Sequence, residues 1–300
     1  MATPEWFFHY TTAQGIVGIL DEKKIWATDA NYFNDYAEIR RGISYARRWF
    51  KQNKPKIKDK MGDIYTTTLE RNLQDEPGKQ SGQRMYICSF STERDSLSQW
   101  LSYGGKIGYS IGFHSEYLTK KAEELGLDFV QCIYEHNENI NPVCDALDKL
   151  MGNGHFRQKP TNMSEISDSM LTVIHVIQKN SVALKGEGFK NEQEWRICTK
   201  PTKIRNERYE NSDIEGEFYR FGNGIFIPYL KYPLFPKIMK ESLIPNSDNE
   251  LLPAIKFRIG PTLRRDIAYD GLNRFLLKRQ SEFLYSKPEH SLVTYSPLKE

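Results

Sequence analysis

Short apolar runs of β-favouring residues recur along the chain and alternate with segments whose apolar positions have helical spacing. The pattern predicts strands at residues 6–10, 24–27, 85–91, 107–113, 129–134, 194–198, 218–221, 225–227 and 255–259. It predicts helices at residues 16–20, 36–50, 97–103 and 262–279, and a largely helical segment from 141 to 185. Because the elements lack the regular spacing of strand–helix–strand units, the pattern favours an α+β fold with a mixed sheet.

Two stretches interrupt the predicted strands. Residues 51–82 are polar and rich in lysine, and they end in the turn-forming pairs Pro77-Gly78 and Ser81-Gly82, which favours a loop around one helix. We therefore predict helical or loop insertions at residues 36–82 and 141–185. A chain of 300 residues fits either two average domains or one elaborated domain, and we interpret residues 1–300 as a single elaborated domain.

The composition is that of a folded protein, with 39% hydrophobic and 27% charged residues. Apolar runs stay well short of the roughly 20 residues that cross a bilayer, and the first residues do not resemble a secretory signal, so we expect a cytoplasmic protein without a membrane span. The four cysteines are widely spaced, which argues against a zinc site or a disulfide framework, and we predict no metal site. The net charge of +3 permits contact with nucleic acid without requiring it.

Polar side chains stand at the ends of three predicted strands. They are His9 on the first strand, Ser89 and Ser91 on a central strand, and Glu192 and Glu194 at the start of a later one. Each has an ordinary structural explanation: a packed histidine, serines that end a strand, solvated glutamates. If residues 192–194 are extended, both carboxylates project to the same face. The hypothesis is that all three positions converge on one cleft.

The order His, Ser-x-Ser, Glu-x-Glu on successive strands resembles the ADP-ribosyltransferase superfamily. The opening segment, residues 9–29, is similar to the start of several bacterial members, including DNA-modifying ADP-ribosyltransferases of toxin and antitoxin systems. The chain also resembles the bacterial domain of unknown function 2971 family, through His9-Tyr10-Thr11, Asn34-Asp35 with Glu38, Cys88-Ser89-Phe90-Ser91 with Asp95, Trp100-Leu101-Ser102-Tyr103-Gly104, and Phe189 with Glu192-Gln193-Glu194-Trp195-Arg196. The first resemblance implies a mixed, split β-sheet of ADP-ribosyltransferase type with helical insertions.

The superfamily resemblance implies NAD as a substrate, bound in a cleft between two half-sheets. Glu194 would stabilise the oxocarbenium-like ribose, Glu192 would orient or deprotonate the acceptor, and His9 would hydrogen-bond the adenosine ribose. These three are the implied catalytic residues. The residues implied to bind NAD are His9, Tyr10, Thr11, Ser89, Ser91 and Tyr103.

The function that follows is NAD-dependent ADP-ribosyl transfer to a macromolecule, either nucleic acid (DNA or RNA) or protein, in a bacterial toxin or phage-defence setting with an operon-encoded partner. A nonenzymatic nucleotide-binding or sensor module of a defence system is the alternative. A metal-dependent nuclease is a second alternative, with acidic ligands drawn from Asp29, Asp35, Glu38 and Asp95. The lysine-rich residues 51–60 fit either phosphate contacts or a solvated helix face.

Overall fold

The structure is a computed structural model. It describes residues 4–32, 37–74, 84–135, 141–156, 159–200, 213–222, 224–236, 239–245 and 251–294. Of the sequence motifs named above, Asn34, Asp35, Pro77-Gly78 and Ser81-Gly82 lie outside these residues, as does the side chain of Glu38.

A mixed sheet of ten strands, numbered here in chain order, occupies the centre of the described residues. Its main path runs β14 (Ser286–His290), β13 (Ile255–Ile259), β4 (Gly108–His114), β1 (Trp6–Thr12), β3 (Tyr86–Ser91), β2 (Ile25–Asp29), β10 (Ile225–Tyr232) and β9 (Glu215–Gly222). The remaining two strands are β8 (Glu194–Cys198), which pairs with β3, and β5 (Asp128–Gln131), which pairs with β8. The pairs in this sheet are antiparallel except β13 with β14. The predicted mixed α+β class is confirmed.

Two smaller sheets flank the main one. The first joins β6 (Ile133–Glu135) to β7 (Leu184–Gly186) in parallel, and the second joins β11 (Leu243–Pro245) to β12 (Leu251–Pro253) in antiparallel fashion. The first of them matters for the site described below, because its strand β7 carries a buried lysine.

Strand β3 is the branch point of the main sheet. Along one edge it pairs with β8 from Ile87 to Ser91. Its other edge is divided between two strands, because β2 pairs with its first two residues and β1 meets it only at Ser91, opposite Phe8. Between those contacts the edge of β3 at residues 88–90 has no strand partner among the described residues. The sheet is therefore split beside the middle of β3.

Four helices pack on this sheet: α1 (Ala13–Glu22), α4 (Leu97–Tyr103), α5 (Ser115–Glu124) and α8 (Arg265–Leu277). Thr12 caps α1, since its hydroxyl accepts a hydrogen bond from the Gly15 amide at 3.1 Å. Apolar residues of α1, α5 and α8 share one buried core with the sheet. Trp100 of α4 packs with Phe8 and Tyr10 in a separate small cluster, so α4 stands beside the split. Short 3-10 helices occupy Ala30–Tyr32, Glu187–Glu192 and Met239–Ser242.

The two predicted insertions supply a helical layer with its own core. Its helices are α2 (Ala37–Met61), α3 (Asp63–Gln74), α6 (Pro142–Gly152) and α7 (Met163–Ser181). Phe156 is fully buried at the centre, where its ring lies 6.4 Å from that of Trp49 and 6.2 Å from that of Tyr65. The indole of Trp49 donates to Asp148 at 2.7 Å, which satisfies its one polar group. Residues far apart in the chain thus complete one apolar interior.

Two sequence predictions differ from the observed elements. The helix predicted to end at residue 50 continues to Met61, because Ile57 and Met61 extend the buried stripe of Trp49 and Phe50 through the lysine-rich segment. Helix α3 is the one helix that was predicted within residues 51–82. The strand predicted at residues 129–134 is interrupted at Cys132, and its two halves pair in different sheets. Local composition favoured a loop and a single strand there, whereas packing against distant segments decided otherwise.

The small residues that alternate along β4 in the sequence predict a strand face approached closely by a ligand or by backbone. At Gly112 the close neighbours are side chains, because a Cβ there would lie 2.9 Å from the ring of Phe8 and 2.9 Å from the aliphatic chain of Lys256. At Gly108 both kinds of neighbour occur, because a Cβ there would lie 2.8 Å from the ring of Trp100 and 2.9 Å from the backbone of Gly104. These glycines allow large side chains to cover the sheet.

None of the helices that the structure describes combines the length and apolar character needed to cross a membrane. All four cysteines are free thiols.

We expect Phe156→Ala to lower the free energy of unfolding by about 3–5 kcal/mol, because it removes a fully buried ring and leaves a cavity between helices of the layer. Phe156→Leu should cost clearly less, since it refills most of that volume. Urea denaturation followed by circular dichroism measures both. A cost near zero for the alanine variant would mean that the helical layer is not packed around this ring.

Candidate functional site

An open cleft lies beside the split in the sheet and is bordered by α4. Its empty volume is about 340 Å³, counting the part open to solvent. The residues that line it come from five different elements, and they are Phe8, His9, Tyr10, Ser89, Phe90, Gln99, Tyr103, Glu192 and Glu194. The cleft therefore brings together six of the eight residues that the sequence analysis singled out, at one place where polar groups meet an apolar wall.

His9 occupies the gap between β1 and the free edge of β3. Its Nδ1 lies 3.0 Å from the Ser89 carbonyl oxygen, which can only accept a hydrogen bond, so Nδ1 carries the proton and Nε2 is left as an acceptor. Burial lowers the pKa of His9 below its ordinary value, and the bond to Ser89 only partly opposes this. The imidazole is therefore neutral at pH 7. The same nitrogen lies 3.9 Å from the sulfur of Cys88, whose pKa is raised by burial, so that residue stays a thiol.

Glu194 opens β8 and is almost completely buried, with 5% of its surface exposed. Arg196 donates to both of its oxygens, at 2.9 and 3.2 Å, and the ammonium group of Lys185 on β7 binds it as well. Burial acts to raise the pKa of the Glu194 carboxyl, but Arg196 and Lys185 outweigh that effect and lower it to about 2. Glu194 is thus a permanently ionised carboxylate, unsuited to proton transfer near neutral pH.

Lys185 holds the two carboxylates together. It binds Glu192 as well as Glu194, and its own side chain is 7% exposed. Burial acts to lower the pKa of Lys185, but the adjacent carboxylates raise it above its ordinary value. With Arg196 included, two cations face two anions, so the cluster carries no net charge.

Residues 192–194 were expected to form an extended segment, but in the structure they form a tight turn. Glu192 ends a 3-10 helix, and Gln193 takes the left-handed conformation with φ of +44° before β8 begins. The two carboxylates still meet because this tight turn swings Glu192 toward Lys185. Hydrogen bonds fix the turn: Ser91 donates to the Glu192 carbonyl at 2.6 Å, and the Thr92 amide donates to the Gln193 carbonyl at 3.1 Å.

The other predicted site residues divide into lining and supporting positions. Tyr10 lines the cleft with its ring, but its hydroxyl donates to the Glu93 carbonyl at 2.5 Å and accepts from the Ser96 amide at 3.1 Å. Ser89 lines the cleft, whereas Ser91 is buried behind it. Thr11 is not among the lining residues and packs near Gly15 of α1, so its binding to NAD stays a prediction.

Two side chains of α4 face the cleft. Gln99 is 6% exposed, and its amide makes no hydrogen bond with the other described residues, so it is ready to bind a ligand. Tyr103 presents a ring that is 45% exposed, and burial of its hydroxyl, with the charge of Glu192, raises its pKa above the ordinary value. Tyr103 was predicted from the sequence, whereas Gln99 was not.

The paired cations Lys185 and Arg196 were also given no role from the sequence. Arg196 lies two residues after Glu194 on a strand, and this spacing places both side chains on one face, so the pattern contained the signal. Lys185 belongs to a different sheet and had no local signal.

The acidic residues considered for a nuclease are placed separately. Asp29 is buried, with one carboxylate oxygen bound by Asn31 and the other 3.8 Å from Nε of Arg84, and its pKa is raised by burial. The carboxylate of Asp95 accepts hydrogen bonds from Trp100, Ser291 and Leu292 at 2.6–2.8 Å. Within the described residues, no group of three or more His, Cys, Asp and Glu side chains is arranged to hold a metal ion.

We expect Glu194→Gln to destabilise the fold by about 3–5 kcal/mol, because it leaves the buried Arg196 without its charged partner and removes one of the two carboxylates that bind Lys185. The folded pKa of about 2 lies below the ordinary 4.5, so the unfolded state binds more protons between those values. The contribution of Glu194 is complete above about pH 4.5 and is lost as the pH falls toward 2. Urea unfolding across that window should show a steeper loss in the wild type than in the variant, and parallel curves would contradict the assigned pairing.

Comparisons with known proteins agree with one part of the sequence analysis. A family model described as a protein of unknown function (DUF2971) matches residues 99–197, which include most of α4 and both carboxylates of the cleft. No curated protein matches the chain, and no solved structure does. The resemblance to the bacterial domain of unknown function 2971 family is therefore supported over the central third of the chain.

Proposed function

We propose that this protein is an ADP-ribosyltransferase that transfers ADP-ribose from NAD to a macromolecule in the cytoplasm, using a split sheet of ADP-ribosyltransferase type. The observation that carries the proposal is the meeting of His9, Glu192 and Glu194 in one cleft beside the gap between β1 and β3. The elements that supply them are separated by more than 180 residues of chain. These three groups can contact one ligand only because the fold brings them into the same cleft.

The cleft suits one nucleoside-sized half of NAD. Part of its empty space of about 340 Å³ is open to solvent, so the cleft would enclose only part of such a ligand. Nε2 of His9 is an acceptor for a ribose hydroxyl, and the unbonded amide of Gln99 offers both a donor and an acceptor. The exposed ring of Tyr103 provides a face on which a planar base can stack.

Bound NAD supplies an ADP-ribosyl group: the bond from C1′ to the nicotinamide nitrogen breaks, its electron pair leaves with nicotinamide, and the acceptor's nucleophile bonds to C1′. Glu194 offers a fixed negative charge to the positive ribose that develops. A carboxylate has about four acceptor positions, and Lys185 and Arg196 use three of those on Glu194. One remains for a ribose hydroxyl.

Glu192 is the candidate to receive the proton of the incoming nucleophile. It has a single bond in the cluster, to Lys185, and lies closer to the cleft mouth, with its side chain 12% exposed. Most of its acceptor positions are therefore open. In this proposal Glu194 acts through its charge and Glu192 through proton transfer.

A nucleotide-binding module without catalysis is the second candidate, and a specific observation favours it. Lys185 and Arg196 neutralise the two carboxylates, which weakens the field that a developing cation would meet. Such a balanced cluster suits binding of a ligand without stabilising a charged transition state. The placement in a toxin or phage-defence system, with an operon-encoded partner, rests on sequence resemblance and belongs to either candidate.

The test is release of nicotinamide from NAD and addition of ADP-ribose to nucleic acid or protein, both followed by mass spectrometry. Glu194→Gln should lower nicotinamide release by about 10²–10³-fold per folded molecule, because it removes the fixed charge at the ribose. Glu192→Gln should lower transfer to the acceptor by about 10²-fold or more and spare NAD hydrolysis.

Glu289→Gln is the matched control. It removes the carboxylate that pairs with the buried Arg258. Glu289 is remote in sequence from Glu192 and Glu194 and is not among the residues that line the cleft, so the variant should leave both rates unchanged. Wild-type rates in Glu194→Gln would refute the assignment of the charge. If calorimetry detects NAD binding that Gln99→Leu weakens, while no nicotinamide is released under any condition, the binding-module candidate replaces the enzyme.

A further inference from the structure

Helix α2 concentrates positive charge far beyond the average of the chain. Residues 40–60 contain nine lysines and arginines and a single acid, Asp59, whereas all 300 residues together carry a net charge of +3. The remainder of the protein is therefore net acidic. A field of this strength on one element attracts polyanions and orients the whole molecule toward them.

The charge is arranged as a continuous surface row. Positions four residues apart form a ridge along a helix, about 6 Å per step. The ridge consists of Arg40, Ser44, Arg48, Gln52, Lys56 and Lys60, and every one of these residues is exposed. Lys51 stands beside it and is exposed as well. The row is about 30 Å long and contains no apolar side chain.

Several of the cations on α2 are already used within the helical layer. Lys54 pairs with Glu70 at 2.8 Å, and Lys58 pairs with Asp63 at 2.8 Å. In contrast, Lys51, Lys56 and Lys60 make no ion pair with any other residue in the part of the chain that the structure describes. These three ammonium groups are available to an external anion.

The beginning of α2 lies near strand β7. The guanidinium group of Arg41 lies 3.8 Å from the place that a Cβ on Gly186 would take, and Gly186 directly follows Lys185. Lys185 is the residue that binds both carboxylates of the cleft. A linear polyanion lying along α2 would therefore pass near β7, the strand that carries Lys185, at the N-terminal end of the helix.

The surface chemistry selects among polyanions. An amphipathic helix that binds membranes inserts an apolar face, but the apolar face of α2 is buried in the helical layer through Ile43, Trp49, Phe50, Ile57 and Met61. A protein interface has a core of aromatic or aliphatic anchors, and the exposed row has none. Lysines and arginines spaced along a polar ridge fit a chain of phosphates.

We propose that the exposed row of α2 binds nucleic acid through its phosphate backbone, without reading sequence, and leads it toward the cleft. Binding to α2 needs no chemistry at the cleft, so it stands independently of the proposed transferase activity. If both hold, the bound nucleic acid is the acceptor, and that last step alone rests on the proposed function.

The test is fluorescence anisotropy of the full-length protein with labelled single-stranded DNA, single-stranded RNA and duplex DNA of about 20 nucleotides, a length that covers the row. Lys51→Glu/Lys56→Glu/Lys60→Glu should weaken binding to the single strands at least about tenfold at low salt and make the slope of log affinity against log salt shallower by about 2. Lys51→Gln/Lys56→Gln/Lys60→Gln should act in the same direction, which keeps the result readable if the charge reversal disturbs the fold.

The matched control is Lys120→Glu/Lys240→Glu/Lys278→Glu, which changes the net charge equally at exposed lysines outside α2. Its affinity should stay within about threefold of the wild type, because phosphate contacts are local to α2. The proposal is overturned if the control loses binding as much as the α2 variants, or if the α2 variants bind normally. It is also overturned if the wild type prefers phosphatidylserine vesicles or polyglutamate to nucleic acid.

Discussion

The divided edge of β3 is the constraint from which the rest of the site follows. Three strands compete for two edges: β8 takes one completely, while β1 and β2 share the other and leave its middle unpaired. A buried carbonyl without a partner costs free energy comparable to a lost hydrogen bond, so the gap needs a donor. His9 supplies it by donating to the Ser89 carbonyl, and this bond fixes both its tautomer and its position at the cleft.

A second constraint comes from the buried charges beside this gap. Four ionised side chains are removed from water together, and each compensates another: Lys185 binds two carboxylates, and Arg196 also donates to the Val182 carbonyl at 2.7 Å. Such a cluster contributes less to stability than its Coulomb attraction suggests, because desolvation opposes it. The cluster instead fixes positions, because it holds two acidic groups from different elements at the edge of one cleft. The pairing lowers the basicity of Glu194, which is why we assign Glu194 an electrostatic role.

Helix α2 packs in the helical layer with one face and presents its exposed row on the other. The inner face of α2 fills a core completed by α3, α6 and α7, so the exposed row is not needed for apolar packing. Because a buried charge without a partner is costly, a helix can carry nine cations in 21 residues only if such a face keeps them exposed or paired. The layer also adjoins β7, which connects its charged surface to the cleft through Lys185.

Local pattern determined much of this protein. The alternation and length of apolar runs predicted β1, β3, β4 and β8 nearly at their observed bounds, because strand pleat is a property of a few neighbouring residues. Tertiary structure decided the extension of α2 through the lysines, the turn at Gln193 and the pairing of Glu194 with Lys185. These depend on contacts between segments whose separation along the chain carries no signal, since the free energy of burying a side chain is fixed only when its distant neighbours are in place.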